Sequence, residues 1–262
     1  MTYLFILGAR DPEMMIIEDL VLKAQHRVAY ALAEERRVYP GNAYRAERIS
    51  TRPGQPHGRT IWVECALADA SYPRDIVVDH HHEGDPGFDM PPARYWEGSS
   101  LGQVCHLLSL EPTSELRLAA AADHCLSAAY KSLCPGVDPD DLKAWRIASR
   151  AKWQKIDPEV LSAKVESAIA QVRQLQPLKV GPYEFFDALD LDIPELSEAS
   201  AILGKPVMYS LPELRSGRIK VGALNGTPEM MDAWMEFART VLQLDDVYSS
   251  PLRGYAEGYL KQ

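Results

Sequence analysis

Apolar positions open the chain as an unbroken run over residues 3–8, change to helical spacing, and return in two short runs at 60–65 and 75–79. A continuous apolar run of that length predicts a strand buried on both faces. Asp11-Pro12-Glu13 then reads as a helix start: a capping acid, proline in the first turn and a first-turn carboxylate. The spacing predicts a helix over 13–35. Residues 38–58 are polar and rich in proline and glycine, and predict an irregular excursion with one short strand. From 98 to about 174 the pattern is mostly helical: a helix capped by Ser99 or Ser100 and running through 109, another over 114–132, and helices opened by Asp138-Pro139 and Asp157-Pro158. Beyond 178 strands and short helices take over. Strands are predicted at 207–210 and 218–224 with Ser216-Gly217 turning between them, an amphipathic helix at 228–243, and a Gly- and aromatic-rich strand within 247–260. The expected architecture is α/β: a parallel-sheet domain over 1–155, a linker helix within 156–178, and a smaller α/β domain over 179–262.

The composition fits that picture. The chain has 262 residues, 46% hydrophobic and 25% charged, which is ordinary for a globular protein. Its net charge of −9 argues against long nucleic acid as a partner, because phosphate backbones are held by basic surface. No run approaches the ~18 apolar residues of a membrane span. The apolar N-terminus lacks a basic leader and reads as a strand, not a signal peptide. The four cysteines show no paired C-x-x-C spacing, so reduced thiols in a cytoplasmic protein are expected. Assembly as a homo-oligomer is left open.

Chemistry gathers where strands end. The run Ile76-Val77-Val78 leads into Asp79-His80-His81-His82, and imidazole with carboxylate suits Mn, Fe, Co or Zn. Neighbouring side chains on an extended backbone point to different sides, so His80 and His81 are expected to do different work. Asp11, Glu13 and Glu64 follow the other two early strands, and ligands of open parallel sheets sit outside the carboxyl ends of the strands. Read alone, Asp11 and Glu13 are no more than a cap and a first-turn acid. Glu64 beside Trp62 and Cys65 is harder to place without a partner, since a buried carboxylate is costly. Asp123 stands among alanines in a helical stretch. Later in the chain, Lys205, Arg215, Arg218, Lys220 and Arg253 are basic groups near predicted strands or loops. Gly254 and Gly258 would let backbone N–H groups approach an anion.

Asp79-His80-His81 after an apolar strand resembles the DHH motif of the DHH phosphoesterase superfamily. Asp11-Pro12-Glu13 is similar to the family's D-x-D motif, and Trp62-Val63-Glu64 to the strand that normally ends in Asp. Ser99-Ser100-Leu101-Gly102-Gln103 looks like the Ser-rich helix start after DHH. Ala121-Ala122-Asp123-His124 falls where the family supplies another metal-binding Asp. Arg253-Gly254-Tyr255-Ala256-Glu257-Gly258-Tyr259 looks like an altered form of the Gly-His-rich motif in the DHH-associated substrate domain. The resemblance implies a DHH-like metal-binding first domain and hydrolysis of a small phosphorylated or nucleotide substrate. It implies Mn, as one or two divalent ions, with Mg, Co or Zn as alternatives. Glu13, His80 and Asp123 would hold one ion, Glu64 would bridge, and Asp11 would serve the other. Asp79 would orient His80 or line the site, and His81 would contact the phosphate in catalysis. Arg253 and Gly254 would bind substrate. The chain departs from the family at Leu7, where a His is expected, at Glu13 and Glu64 in place of Asp, and in lacking the C-terminal His. His82 and His124 have no family role, and either could replace the missing ligand. A rival reading keeps the scaffold as a non-catalytic nucleotide-binding or assembly protein.

Overall fold

The computed structural model describes residues 2–51, 59–69, 74–213 and 217–261. Arg215 and Ser216 lie outside them, as do the prolines at 53 and 56. The chain divides into two compact units, residues 1–155 and 156–262.

The first unit is built on a mostly parallel sheet. Strand β1 (Leu4–Leu7) pairs in parallel with β2 (Arg27–Ala33) on one side and β5 (Thr60–Val63) on the other, and β6 (Ile76–Val78) extends the sheet beyond β5. Two-residue strands β3 (Arg36–Arg37) and β4 (Arg48–Ile49) add antiparallel to β2. All four β1 residues are buried, as a continuous apolar run requires. Phe5 and Leu7 join Ile61, Val63 and Val78 in a core on the helical face. Leu4 and Ile6 join Ala29, Ala31 and Trp62 on the other, which Val38, Ala43, Ala46 and Ile49 cover from the 38–49 excursion.

The expected helix over 13–35 is corrected. Helix α1 (Pro12–Lys23) ends there, and 27–33 is a strand in the middle of the sheet. Its Arg-Val-Ala-Tyr-Ala-Leu-Ala pattern alternates, burying Ala29 and Ala31 on one face, and a helical period masks that alternation. The helical face carries α2 (Tyr95–Gly98), α3 (Ser100–Leu107), α4 (Ser114–His124), α5 (Leu126–Tyr130) and α6 (Pro139–Gln154). Ser99 caps α3 by accepting from the Gly102 N–H, and Asp138 caps α6. The single helix expected over 114–132 breaks at Cys125, which leaves helical geometry at φ −155°, ψ 54°. That break ends α4 immediately after Asp123 and His124.

The second unit holds α7 (Pro158–Gln174), β7 (Pro177–Val180), β8 (Tyr183–Ala188), α8 (Leu196–Leu203), β9 (Val207–Pro212), β10 (Ile219–Leu224), α9 (Pro228–Thr240), β11 (Asp245–Ser250) and β12 (Tyr255–Tyr259). Its sheet runs β11-β12-β10-β9-β8-β7, antiparallel except between β8 and β9. Helix α7, in the stretch expected to be a linker, packs Val165, Ala168 and Val172 against Ala188, Ala199 and Val207 of this unit. Trp234 and Met231 of α9 fill the core beneath Val221, Ala223 and Ala256. No helix among the described residues is long and apolar enough to cross a membrane.

Candidate metal centre

The candidate acids and histidines of the first unit meet at the carboxyl ends of β1, β5 and β6. Asp11 caps α1, its Oδ1 accepting from the Met14 N–H at 2.7 Å. In the first turn of that helix Glu13 is buried, and its Oε1 accepts from the Leu101 N–H at 3.0 Å, at the N-terminus of α3. Glu64 leaves β5 in the left-handed region at φ +49°. That conformation costs a non-glycine residue on the order of 1–3 kcal/mol and persists where the surroundings over-determine it. Here they do: the Glu64 N–H donates to Val78 O at 3.1 Å, and the Gly8 N–H donates to Val63 O at 3.0 Å. A Cβ on Gly8 would stand 2.3 Å from the Glu64 carbonyl oxygen. Gly8→Ala is therefore expected to wedge β1 from β5 and cost about 3 kcal/mol in urea unfolding. Wild-type stability in that variant would show the close approach to be incidental.

One carboxylate oxygen from each of Glu13, Glu64 and Asp123 lies within 4.8 Å of the others, and Glu64, His80 and His81 form a second such group. Glu13 Oε2 and Glu64 Oε1 are buried without a hydrogen-bond partner among the described residues. Burial, then the neighbouring Asp123 and Glu64, pushes the Glu13 carboxyl well above its ordinary range. Burial and Asp123 push Glu64 up to about 8, and the same two causes raise Asp11 to about 6. Acids crowded this closely out of water are stabilised by a cation among them. The donor set, hard carboxylate oxygens with an imidazole, fits a divalent ion.

In the metal-free protein those shifts have a definite sign. Glu64 loses its proton at its ordinary 4.5 in the unfolded chain but near 8 in the fold. The unfolded state thus binds fewer protons between those values, and stability falls as pH rises from about 4.5 to about 8. Asp11 acts in the same direction between 3.8 and about 6. Asp79 is lowered from 3.8, so its opposite contribution lies below this window. The metal-free melting temperature is expected to be on the order of 5 °C higher at pH 5 than at pH 8, and Mn²⁺ should stabilise most at pH 8. A profile flat in pH, with or without Mn²⁺, contradicts the crowding of these acids.

The histidines divide their work. His80 places Nε2 3.1 Å from Asp123 Oδ2 and 3.7 Å from Glu64 Oε1. Its Nδ1 is 2.8 Å from His124 Nδ1, and His124 Nε2 is 3.0 Å from Met90 O. A carbonyl only accepts, so His124 carries its proton on Nε2. With His124 neutral, its Nδ1 accepts and His80 donates from Nδ1, which puts the lone pair of His80 on Nε2, toward the acids. That is the tautomer of a metal ligand.

His81 turns to Asp79, with Nδ1 2.9 Å from Asp79 Oδ1. Asp79 also accepts from the His80 and His81 backbone N–H groups and from the Tyr44 hydroxyl at 3.0 Å. Gln103 Nε2 donates to the Asp79 carbonyl at 3.0 Å. Burial alone would raise the Asp79 carboxyl, but the hydrogen bonds from His81 and the His80 N–H, led by the His81 side chain, hold it below its ordinary value.

Five acids, Asp11, Glu13, Glu64, Asp79 and Asp123, thus gather with His80 and His81. Leu7, where the resemblance expects a ligand, is fully buried in the apolar core. His82 is exposed and faces Asp85, with its ring edge-on to Tyr44. His124 spends both ring nitrogens on His80 and Met90. Arg253 and Gly254 belong to the second unit, in the turn between β11 and β12, where Gly254 adopts φ +71°. There Arg218 pairs with Asp246, Lys220 with Glu257, and the Lys205 ammonium lies over the Phe186 ring. Sequence reasoning missed Tyr44, Gln103 and the orienting role of His124. Tyr44 sits in a segment with no motif of its own, and Gln103 closes the Ser-rich helix start, whose pattern gives it no role. His124 carried a signal, a second histidine beside a candidate ligand.

No family model and no curated protein matches the sequence. Among solved structures, the chain is similar to a pGpG-specific phosphodiesterase, PggH, from Vibrio cholerae. The two share 9% identity at a TM-score of 0.38, over 99% of this chain and 92% of that one. A likeness this slight says nothing about activity.

Proposed function

We propose that this chain is a divalent-metal-dependent phosphoesterase of the DHH type, acting in the cytoplasm on a small phosphorylated or nucleotide substrate. The observation that carries the reading is the meeting of Glu13, Glu64 and Asp123, two of them with buried oxygens that lack a hydrogen-bond partner among the described residues, with His80 Nε2 3.1 Å from Asp123 Oδ2. Glu13, His80 and Asp123 would hold one ion with Glu64 bridging, and Asp11 would serve a second. Manganese, when bound, would neutralise phosphoryl oxygens and acidify a water.

The remaining work falls to the chain itself. Asp79 stays ionised at neutral pH and, lying 2.9 Å from His81 Nδ1, would support a second proton on that ring. His81 can then hold a proton on Nε2 and give it to a phosphoryl or leaving oxygen. Tyr44 and Gln103 hold Asp79 in place, so the His81 ring is aimed rather than free to turn.

One observation favours the second reading, a nucleotide binder without turnover: Leu7 leaves one family ligand position apolar. Manganese titration with a metal count, joined to hydrolysis of bis(p-nitrophenyl) phosphate and short nucleotides, decides between them. The enzyme reading expects His80→Ala and Asp123→Ala to lose metal and turnover together. Unchanged Mn²⁺ stoichiometry in both variants would sink the ligand assignment. Tight nucleotide binding with no turnover at any Mn²⁺ concentration would leave the binder.

A further inference from the structure

The acid cluster opens onto a cavity of about 140 Å³ whose near wall is Asp11, Glu13 and Asp123. Its far wall comes from one helix, α6, which contributes Trp145, Arg146, Arg150 and Trp153. Arg146 and Arg150 are one turn apart and share a side of the helix. Both are half-buried, so they line the cavity rather than extend into bulk water. Trp153 is 40% exposed, and its indole N–H donates to Arg10 O at 3.1 Å. That bond ties the end of α6 to the loop that delivers Asp11, so the wall and the acids hold a common register.

The chemistry of this wall is specific. A chain of net charge −9, with carboxylates around its centre, repels an anionic substrate unless fixed cations face it. Guanidinium groups offer bidentate donors matched to phosphate oxygens. The cavity is well below the roughly 300–1,000 Å³ of sites that enclose a whole ligand. It accommodates a phosphoryl end and leaves the rest of the molecule at the mouth. There the substrate meets the exposed indole, and an aromatic ring beside cations is a platform for a nucleobase.

Resting on the reading of the acid cluster as a metal centre, we infer that α6 is the substrate-recognition wall of the site. Arg146 and Arg150 take the phosphate, Trp153 stacks on the base, and the ligand class is a short nucleotide rather than inorganic polyphosphate. All of these groups lie in the first unit, so recognition of the phosphate and base begins beside the acids themselves.

The test is equilibrium binding to the full-length protein, by calorimetry and by quenching of tryptophan fluorescence. The probes are a 5′-phosphorylated dinucleotide, AMP and inorganic pyrophosphate, each with Mn²⁺ present. Arg146→Ala and Arg150→Ala are each expected to weaken both nucleotides about ten-fold. Trp153→Ala should weaken the nucleotides about ten-fold and pyrophosphate hardly at all, and Trp153→Phe, which keeps a ring, should retain more affinity than Trp153→Ala. Circular dichroism and Mn²⁺ content establish that each variant is folded and loaded. Wild-type affinity in the folded arginine variants overturns the proposal. So does pyrophosphate binding that depends on the arginines while Trp153 has no effect on any probe. A wild type that binds no nucleotide overturns it as well. Hydrolysis of bis(p-nitrophenyl) phosphate by the wild type reports on the metal centre separately. Turnover of that ester with no nucleotide binding would defeat this inference alone, and nucleotide binding through α6 without turnover would defeat the hydrolase reading alone.

Discussion

Glu64→Gln is expected to stabilise the metal-free protein and weaken its hold on Mn²⁺ at the same time. The substitution keeps the shape of the side chain and removes its charge. In the metal-free fold Glu64 is buried beside Asp123, and its Oε1 has no hydrogen-bond partner among the described residues. Ionising it there is unfavourable, which is why its carboxyl is pushed up to about 8. A neutral amide escapes that penalty. At pH 8 the metal-free melting temperature should rise by on the order of 5 °C. The same carboxylate is an anionic donor beside Glu13 and His80, so its loss should lower Mn²⁺ affinity by about 100-fold. The backbone at φ +49° strains Gln as much as Glu, so it does not enter the difference. The opposed signs are the signature. A Glu64 that merely packs would change both measurements in one direction, and unchanged melting together with unchanged Mn²⁺ affinity would remove it from the centre.

The parts of this centre legible in the sequence were those carried by strand ends. Continuous apolar runs at 3–8, 60–65 and 75–79 become β1, β5 and β6, and the acids that follow them converge because parallel strands send their carboxyl ends to one edge. The sequence of strand β2 reads as helix because its two inward alanines are weak apolar signals beside Val28, Tyr30 and Leu32. Only its pairing with β1 selects the period-two pattern. Asp11 shows why single acids read poorly: it is a helix cap by its Met14 bond and a member of the acid cluster by position, and the local pattern contains only the first role. Tyr44 and Gln103 reach Asp79 from 35 and 24 residues away, and no local pattern encodes contacts of that span. The α6 wall was readable in principle. Its arginines stand at i, i+4, and Trp145 and Trp153 are eight residues apart, but only the fold brings that helix to the acids.

His124→Phe is expected to unload the centre without touching any of its proposed ligands. His80 presents a lone pair on Nε2 only while its proton is held on Nδ1, and His124 Nδ1, 2.8 Å away, is what holds it. Met90 O fixes His124 in turn by taking its Nε2 proton. The chain of hydrogen bonds runs from Met90 through His124 to His80, and each proton position sets the next. Phenylalanine fills the same space beside Gly98, where a Cβ would come within 2.7 Å of the His124 ring, but offers no acceptor. His80 then loses the partner for its Nδ1 proton, and the proton moves to Nε2, where Asp123 Oδ2 at 3.1 Å accepts it. A protonated nitrogen cannot bind metal, so Mn²⁺ affinity should fall about 10–100-fold, the usual effect of removing a partner that orients a ligand. The shift is visible without any turnover assay, because nitrogen-15 NMR of the metal-free protein separates the two tautomers of His80. His124→Asn, whose carbonyl can accept from His80, should restore part of both the affinity and the tautomer. A His80 that keeps its Nδ1 proton in the folded His124→Phe variant, with wild-type Mn²⁺ affinity, would show that His124 only fills space beneath the centre.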